Sequence, residues 1–180
     1  MAVDYTLELF PTEGNWDQYM KWLVGKELSQ ISLTPEGGVT ITRSNDNAGV
    51  DLYCVKHQTV PVGANATLLD LGVKARMIKQ SSQNNIPDET CHFWLAPRSS
   101  IWKSGVRQAN SLGVIDRSYR GILMGAVLTN SDSPAEIEAG TRLFQVLAPD
   151  MGYISKVRIL PESELDTTSR GEGGFGSTGR

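Results

Sequence analysis

The chain is poor in the residues that would make several functions easy to propose. It has two cysteines, Cys54 and Cys91, which is too few for a disulfide framework. Both read as small apolar side chains in a reducing compartment. Its two histidines, His57 and His92, lie far apart and lack a metal-ligand spacing, which argues against a zinc site. Positive charge is not in excess: the formal net charge is -3, so nothing global favours nucleic acid or a phospholipid surface. If the protein handles a polyanion, its cations must be concentrated locally. No apolar run approaches a membrane span, and the N-terminus does not read as a signal peptide. Helical segments between strands are missing too, which disfavours a doubly wound α/β fold. The expectation is a soluble intracellular protein of 180 residues, long enough for one domain with a real core.

What is present is β pattern. Tyr5-Thr6-Leu7-Glu8-Leu9-Phe10 reads as a strand closed by Pro11. One convincing helix follows. Thr12 or Asn15 can cap it, Trp16, Tyr19, Met20 and Leu23 share a face, and Gly25 can end it. An amphipathic face of this kind usually docks on its own domain. Ile31-Ser32-Leu33 and Val39-Thr40-Ile41-Thr42 flank the turn sequence Pro35-Glu36-Gly37-Gly38. Further strands are expected over 50–56, 66–78, 89–95, 122–129, 142–148 and 153–159. Many short strands separated by Gly, Pro, Asn, Asp and Ser predict an all-β, jelly-roll-like barrel with one short N-terminal helix. Residues 161–180 are polar, with five glycines in the last ten, and read as a flexible arm.

Five stretches carry the chemistry. In Gly113-Val114-Ile115-Asp116-Arg117-Ser118-Tyr119-Arg120-Gly121, two glycines bracket an extended pair, an acid and a tyrosine. The apolar run Ile122–Leu128 follows, so Asp116 and Tyr119 are expected where a hairpin returns into a core strand. Asn110, three residues before Gly113, offers an amide that both donates and accepts. The other stretches are Asn47-Ala48-Gly49-Val50-Asp51-Leu52, Ala96-Pro97-Arg98-Ser99-Ser100, Gly140-Thr141-Arg142-Leu143-Phe144-Gln145 and Arg170-Gly171-Glu172-Gly173-Gly174-Phe175-Gly176-Ser177-Thr178-Gly179. The last matches G-x-G-x-x-G, but the chain stops four residues after the match, leaving no helix for a dinucleotide fold. Its backbone N–H groups can wrap phosphate oxygens, Arg170 adds a forked cation, and Phe175 can stack on a planar ring.

In this order and with these gaps the set closely resembles the five motifs of the trimeric dUTPases, over roughly residues 45–180. The resemblance implies hydrolysis of dUTP to dUMP and pyrophosphate by water attack on the α-phosphorus. That reaction limits uracil in DNA and supplies dUMP. It also implies a homotrimer whose active sites are shared, with the arm donated by a neighbour. In the family the acid matching Asp116 positions and activates the water, and the tyrosine matching Tyr119 packs on deoxyribose and excludes a 2′-OH. Asn110 with the backbone of Gly113, Val114 and Ile115 matches the group that reads the pyrimidine edge. Arg98, Ser99, Ser100 and Gln145 match phosphate contacts. Arg170, Gly174, Phe175, Gly176, Ser177 and Thr178 match the closing arm, with Phe175 over the base. Mg²⁺ is implied, held mainly by phosphate oxygens and waters, with Asp51 near its outer shell. The family has Gly where Ser100 stands and an acid where Ser118 stands. The dCTP deaminase branch of the fold needs a glutamate on the strand after the hairpin, and Ile122–Asn130 contains no acid. A non-catalytic regulator would have lost the acid, tyrosine or tail, and all three are present. The family usually reaches its first motif with a shorter lead, so the expected division is an extension over 1–28, a barrel domain over 29–165 and an arm over 166–180.

Overall fold

The computed structural model describes residues 4–24, 30–63, 65–81 and 86–174. Strand β1 (Tyr5–Pro11) is buried along its whole length. It is followed by helix α1 (Trp16–Val24) and then by strands only: β2 (Gln30–Leu33), β3 (Val39–Thr42), β4 (Val50–Leu52), β5 (Gln58–Val60), β6 (Thr67–Asp70), β7 (Val73–Lys79), β8 (Glu89–Cys91), β9 (Phe93–Pro97), β10 (Val106–Gln108), β11 (Gly113–Ile115), β12 (Met124–Thr129), β13 (Ala135–Ile137), β14 (Phe144–Leu147) and β15 (Ile154–Ile159). Short 3₁₀ turns cover Ile101–Ser104 and Glu162–Glu164. The fold is all-β. Its strands form four sheets, in the orders β2-β3-β15-β1-β7-β8, β11-β9-β14-β4, β10-β12-β6 and β13-β5. The described strands of these sheets close no single barrel. The α-helix is too short to cross a membrane, and no described helix is long and apolar enough to do so.

The sequence-predicted hairpin at 31–42 is present, with Ile31 opposite Ile41 and Leu33 opposite Val39. The expected strand 66–78 is two strands. Gly72 breaks it with φ +63°, and a Cβ there would lie 2.5 Å from Val55. Strands β11 and β12 do not form a hairpin with each other. β11 pairs with β9, whereas β12 pairs with β10 and β6. The segment from Asp116 to Leu123 therefore carries the chain from one sheet to another.

The N-terminal segment is not an appendage to the barrel. β1 lies between β15, to which it runs parallel, and β7, to which it runs antiparallel. Leu7 and Leu9 are fully buried on one face, and Glu8 is buried on the other between Arg76 at 2.6 Å and Arg158 at 2.7 Å. A strand covered on both faces needs such pairing for any charge it carries. α1 docks on the same core. Tyr19 and Leu23 are buried, the Tyr19 hydroxyl donates to the Leu71 carbonyl at 2.6 Å, and Trp22 stacks on Tyr53 at 4.8 Å. β1 and α1, both inside the expected extension over 1–28, thus pack on the same core as the strands that follow. The strand expected at 5–10 is present, and its parallel partner β15 lies at the far end of the sequence, a pairing that no local pattern shows. Gly25, expected to end α1, lies outside the described residues.

Candidate active site

Sheet β11-β9-β14-β4 positions two groups of polar side chains. At the β11 edge, Gly113 sits opposite Leu95, and a Cβ on it would meet the Leu95 carbonyl at 3.1 Å. Asp116 follows the strand directly. Asp116 to Tyr119 is a β-turn, closed by the Tyr119 N–H donating to the Asp116 carbonyl at 2.9 Å. Arg120, almost fully buried, braces this turn by donating to the Arg117 carbonyl at 2.7 Å and the Tyr119 carbonyl at 2.9 Å. Gly121 leaves room for the Tyr119 ring, whose hydroxyl would lie 2.4 Å from a Cβ at that position. That hydroxyl donates to the Ile122 carbonyl at 2.9 Å, and burial pushes its pKa upward.

These pieces enclose a cleft of about 260 Å³, lined by Leu95, Gln108, Asn110, Gly113, Val114, Ile115, Asp116, Tyr119, Leu123, Met124, Arg170 and Gly174. The structure therefore brings together Asn110, Gly113, Val114, Ile115, Asp116 and Tyr119, as the motif implied, with Arg170 and Gly174 of the arm beside them. Asn110 belongs to a tight loop in which Ser111 takes φ +60°, a left-handed conformation uncommon for serine. Asp116 faces one cation and one imidazole: Arg170 Nη1 donates to its Oδ2, and His92 Nδ1 lies 3.4 Å from its Oδ1. His92 Nδ1 also accepts the Arg117 N–H at 3.2 Å, so it approaches Asp116 as a donor only once that bond is given up.

The second group gathers around Asp51 on β4, which lies three strands from β11, about 14 Å at the ~4.8 Å strand spacing. Here Asp51 on β4 holds Arg98 Nε at 2.8 Å and Arg142 Nη1 at 2.7 Å, one on each carboxylate oxygen. Gln145 on β14 donates to the Pro97 carbonyl at 3.3 Å, and Gly49 makes room for it, since a Cβ there would lie 2.2 Å from Gln145 Oε1. With Ser99 these residues line a cavity of about 330 Å³. Two arginines share one aspartate, so the group carries the local positive charge that an acidic chain needs for a polyanion. Ser100 has φ -97°, so its replacement of a glycine costs no backbone strain. Among the described residues no three His, Cys, Asp or Glu side chains form a metal-holding group. Both Asp51 oxygens are engaged by guanidinium groups, which suits it to orient cations or a metal-bound water rather than to ligate a metal directly.

The first part of the arm lies on its own chain. Asp166 pairs with Arg76 at 2.6 Å and Arg120 at 3.1 Å, and Glu172 pairs with Lys74 at 2.6 Å. Thr168 Oγ1 donates to the Ser118 carbonyl, and the Arg120 N–H donates to the Gly171 carbonyl at 2.8 Å. Burial alone would raise the Asp166 pKa, but hydrogen bonds from Arg120 and Arg76 outweigh it and hold the carboxyl below its usual range. The cations of β7 and the 116–121 turn give the arm's acids a place on the same subunit. Phe175, Gly176, Ser177 and Thr178 lie outside the described residues. Sequence reasoning did not single out Gln108, His92, Arg120, Arg142 or Asp166 for the site. Arg120 and Arg142 stand inside two of the five stretches, whereas the others carry no local pattern.

A family model described as dUTPase matches residues 38–179. Proteins named deoxyuridine 5'-triphosphate nucleotidohydrolase are similar over most of the chain. That of Hydrogenobaculum sp. (strain Y04AAS1) is 32% identical over 162 residues, covering 89% of this chain and 99% of the relative. That of Candida albicans (strain SC5314 / ATCC MYA-2876) is 32% identical over 149 residues, covering 82% and 84%. That of Yarrowia lipolytica (strain CLIB 122 / E 150) is 32% identical over 133 residues, covering 73% and 76%. Among solved structures, a dUTPase from Streptococcus mutans aligns with 69% of this chain and 94% of its own at 25% identity and a TM-score of 0.46.

Proposed function

The chain belongs to the dUTPase family, and from that premise we propose that it hydrolyses dUTP to dUMP and pyrophosphate. Water attacks the α-phosphorus, its proton passes to the Asp116 carboxylate, and the bond to the bridging oxygen of pyrophosphate breaks. The observation that carries this reading is the joint placement of Asp116, Tyr119, Asn110 and Arg170 on one cleft. Tyr119 supplies a flat, half-buried face for deoxyribose, against which a 2′-OH would have no room. Asn110 and the backbone of Gly113 to Ile115 face the pyrimidine edge. Arg98, Arg142, Ser99 and Gln145 suit the phosphates, and Arg170 can leave Asp116 for a phosphate once nucleotide arrives. Phe175 and the residues to Thr178 complete the arm over the base and phosphates. Mg²⁺, when bound through phosphate oxygens and waters, would offset the charge of the triphosphate, with Asp51 and its arginines bordering that position.

Pyrophosphate release from dUTP, dCTP, dTTP and UTP in the presence of Mg²⁺ tests the assignment. Two mismatched partners at ~1–3 kcal/mol each predict a preference for dUTP over dCTP of roughly 10²- to 10⁴-fold in kcat/KM. Comparable values for all four nucleotides would defeat it.

On one chain the two groups lie on different strands of the sheet and share no residue. We propose that a homotrimer unites them, one subunit supplying the cleft and another the arginines. Asp116→Asn and Arg98→Ala chains, unfolded and refolded together in equal amounts, then regain activity. A site works when its cleft comes from an Arg98→Ala chain and its arginines from an Asp116→Asn chain, so about a quarter of sites recover. Arg142 still pairs Asp51 in the Arg98→Ala chain. Background activity in mixed trimers confirmed by mass would place both groups in one subunit's site.

A further inference from the structure

Gln108 ends β10 and lines the cleft. Its Nε2 donates to Asn110 Oδ1 at 2.9 Å, and its Oε1 is buried with no hydrogen-bond partner among the described residues. We propose that Gln108 is a specificity-positioning residue: it holds the Asn110 amide so that Asn110 meets the base as a donor. This rests on the dUTP reading of the cleft and deepens it.

An asparagine amide presents an oxygen or an NH₂ group depending on a half-turn about its last bond, and nothing in its own shape decides between them. The choice matters at a pyrimidine. Uracil carries an O4 acceptor where cytosine carries an N4 amino donor. Asn110 with its oxygen turned to Gln108 presents its N–H groups on the other side, which suit O4 and collide with an amino group. Asn110 turned over would offer its oxygen and favour cytosine. Gln108 is the neighbour that sets this. If the pair were reversed, Asn110 Nδ2 would donate to Gln108 Oε1, and the buried place now held by one unpaired oxygen would hold an NH₂ with two unpaired N–H groups. The reversed pair is the costlier of the two. The existing arrangement leaves one orphan acceptor, and the base preference is its return. Asn110 itself is exposed and sits in a loop strained at Ser111, so the loop alone does not lock its side chain.

Two substitutions separate the roles of the Gln108 amide. Gln108→Leu keeps the volume and removes the donor. Asn110 is then free to turn, and the dUTP-to-dCTP ratio of kcat/KM falls by about tenfold, the worth of one hydrogen bond. Gln108→Glu leaves only acceptors. Its carboxylate draws the Asn110 N–H groups to itself and turns Oδ1 to the base, so the ratio falls by about a hundredfold, with dCTP gaining while dUTP loses. In both variants kcat on saturating dUTP stays within about threefold of the parent, because Asp116 is untouched, and the change falls in KM. A merely structural role for Gln108 would lower both nucleotides together. In an Asn110→Ala background, Gln108→Leu adds nothing further if it acts through Asn110.

Equilibrium binding of α,β-imido analogues of dUTP and dCTP measures the same ratio without turnover. If the parent protein hydrolyses no dUTP, the functional reading fails, while the binding ratio still reports on the Gln108–Asn110 pair. If the parent hydrolyses dUTP and both Gln108 variants keep its selectivity within twofold, by turnover and by binding, the proposal is overturned and the functional reading stands.

Discussion

Replacing Asp116 by asparagine lowers kcat by roughly 10²- to 10⁴-fold, the usual worth of a general base, and leaves nucleotide binding in place. The substitution keeps the shape of the side chain. Its amide oxygen can still accept from Arg170 Nη1, so the arm retains a partner in the cleft. What is lost is the ability to take a proton from water and the negative charge facing Arg170 and His92. Stopped-flow binding of the imido analogue and single-turnover hydrolysis of dUTP separate the two effects. Near-normal single-turnover rates in a folded variant would remove Asp116 from the proton transfer. A collapse of binding with an unchanged rate constant at saturation would instead make it a docking residue for the arm.

Deleting residues 1–28 abolishes folding. The deletion removes β1 from between β15 and β7 and exposes both of its neighbours along their hydrogen-bonding edges. Tyr5, Leu7, Leu9 and Phe10 are each at most 2% exposed. At about 1.5–3 kcal/mol per buried side chain, their loss amounts to roughly 6–12 kcal/mol, against a typical total stability of about 5–15 kcal/mol. Arg76 and Arg158 also lose Glu8, leaving two cations over a gap in the sheet. Expression of residues 29–180 followed by size exclusion and thermal unfolding checks this. A soluble, cooperatively melting fragment would show that the segment is dispensable after all. A milder variant, Leu7→Ala, leaves the strand in place and lowers the stability by about 2–5 kcal/mol.

The motifs told more than the strand pattern did. Asp116, Tyr119, Asn110 and Gly113 could be read as a group because their spacing is local and their neighbours are glycines with defined steric tasks. The β2–β3 hairpin was legible for the same reason, through Pro35-Glu36-Gly37-Gly38. β5, β10 and β13 escaped because three residues carry too little alternation to register as strands. The crossing from β11 to β12 was misread as a hairpin because apolar runs on either side of a turn look alike whether they pair or part. Gln108 and Asp166 had no sequence signature at all. One is a neutral amide whose partner is two positions away across a strained loop, and the other is an acid whose arginines come from residues 76 and 120.

The parallel seating of β1 beside β15 also sets the order in which this chain can be made. Glu8 and Arg158 are 150 positions apart, yet they form one ion pair at the centre of the largest sheet. During translation at ~5–20 residues per second, the first strand emerges roughly 7 to 30 s before its neighbour. For that interval a buried strand has one flank unpaired, and the six-stranded sheet cannot be completed until β15 leaves the ribosome. Contacts of such long sequence separation also fold slowly once both partners are present. Synonymous changes that slow translation between residues 80 and 150 would lengthen that exposure without altering a single atom of the finished enzyme.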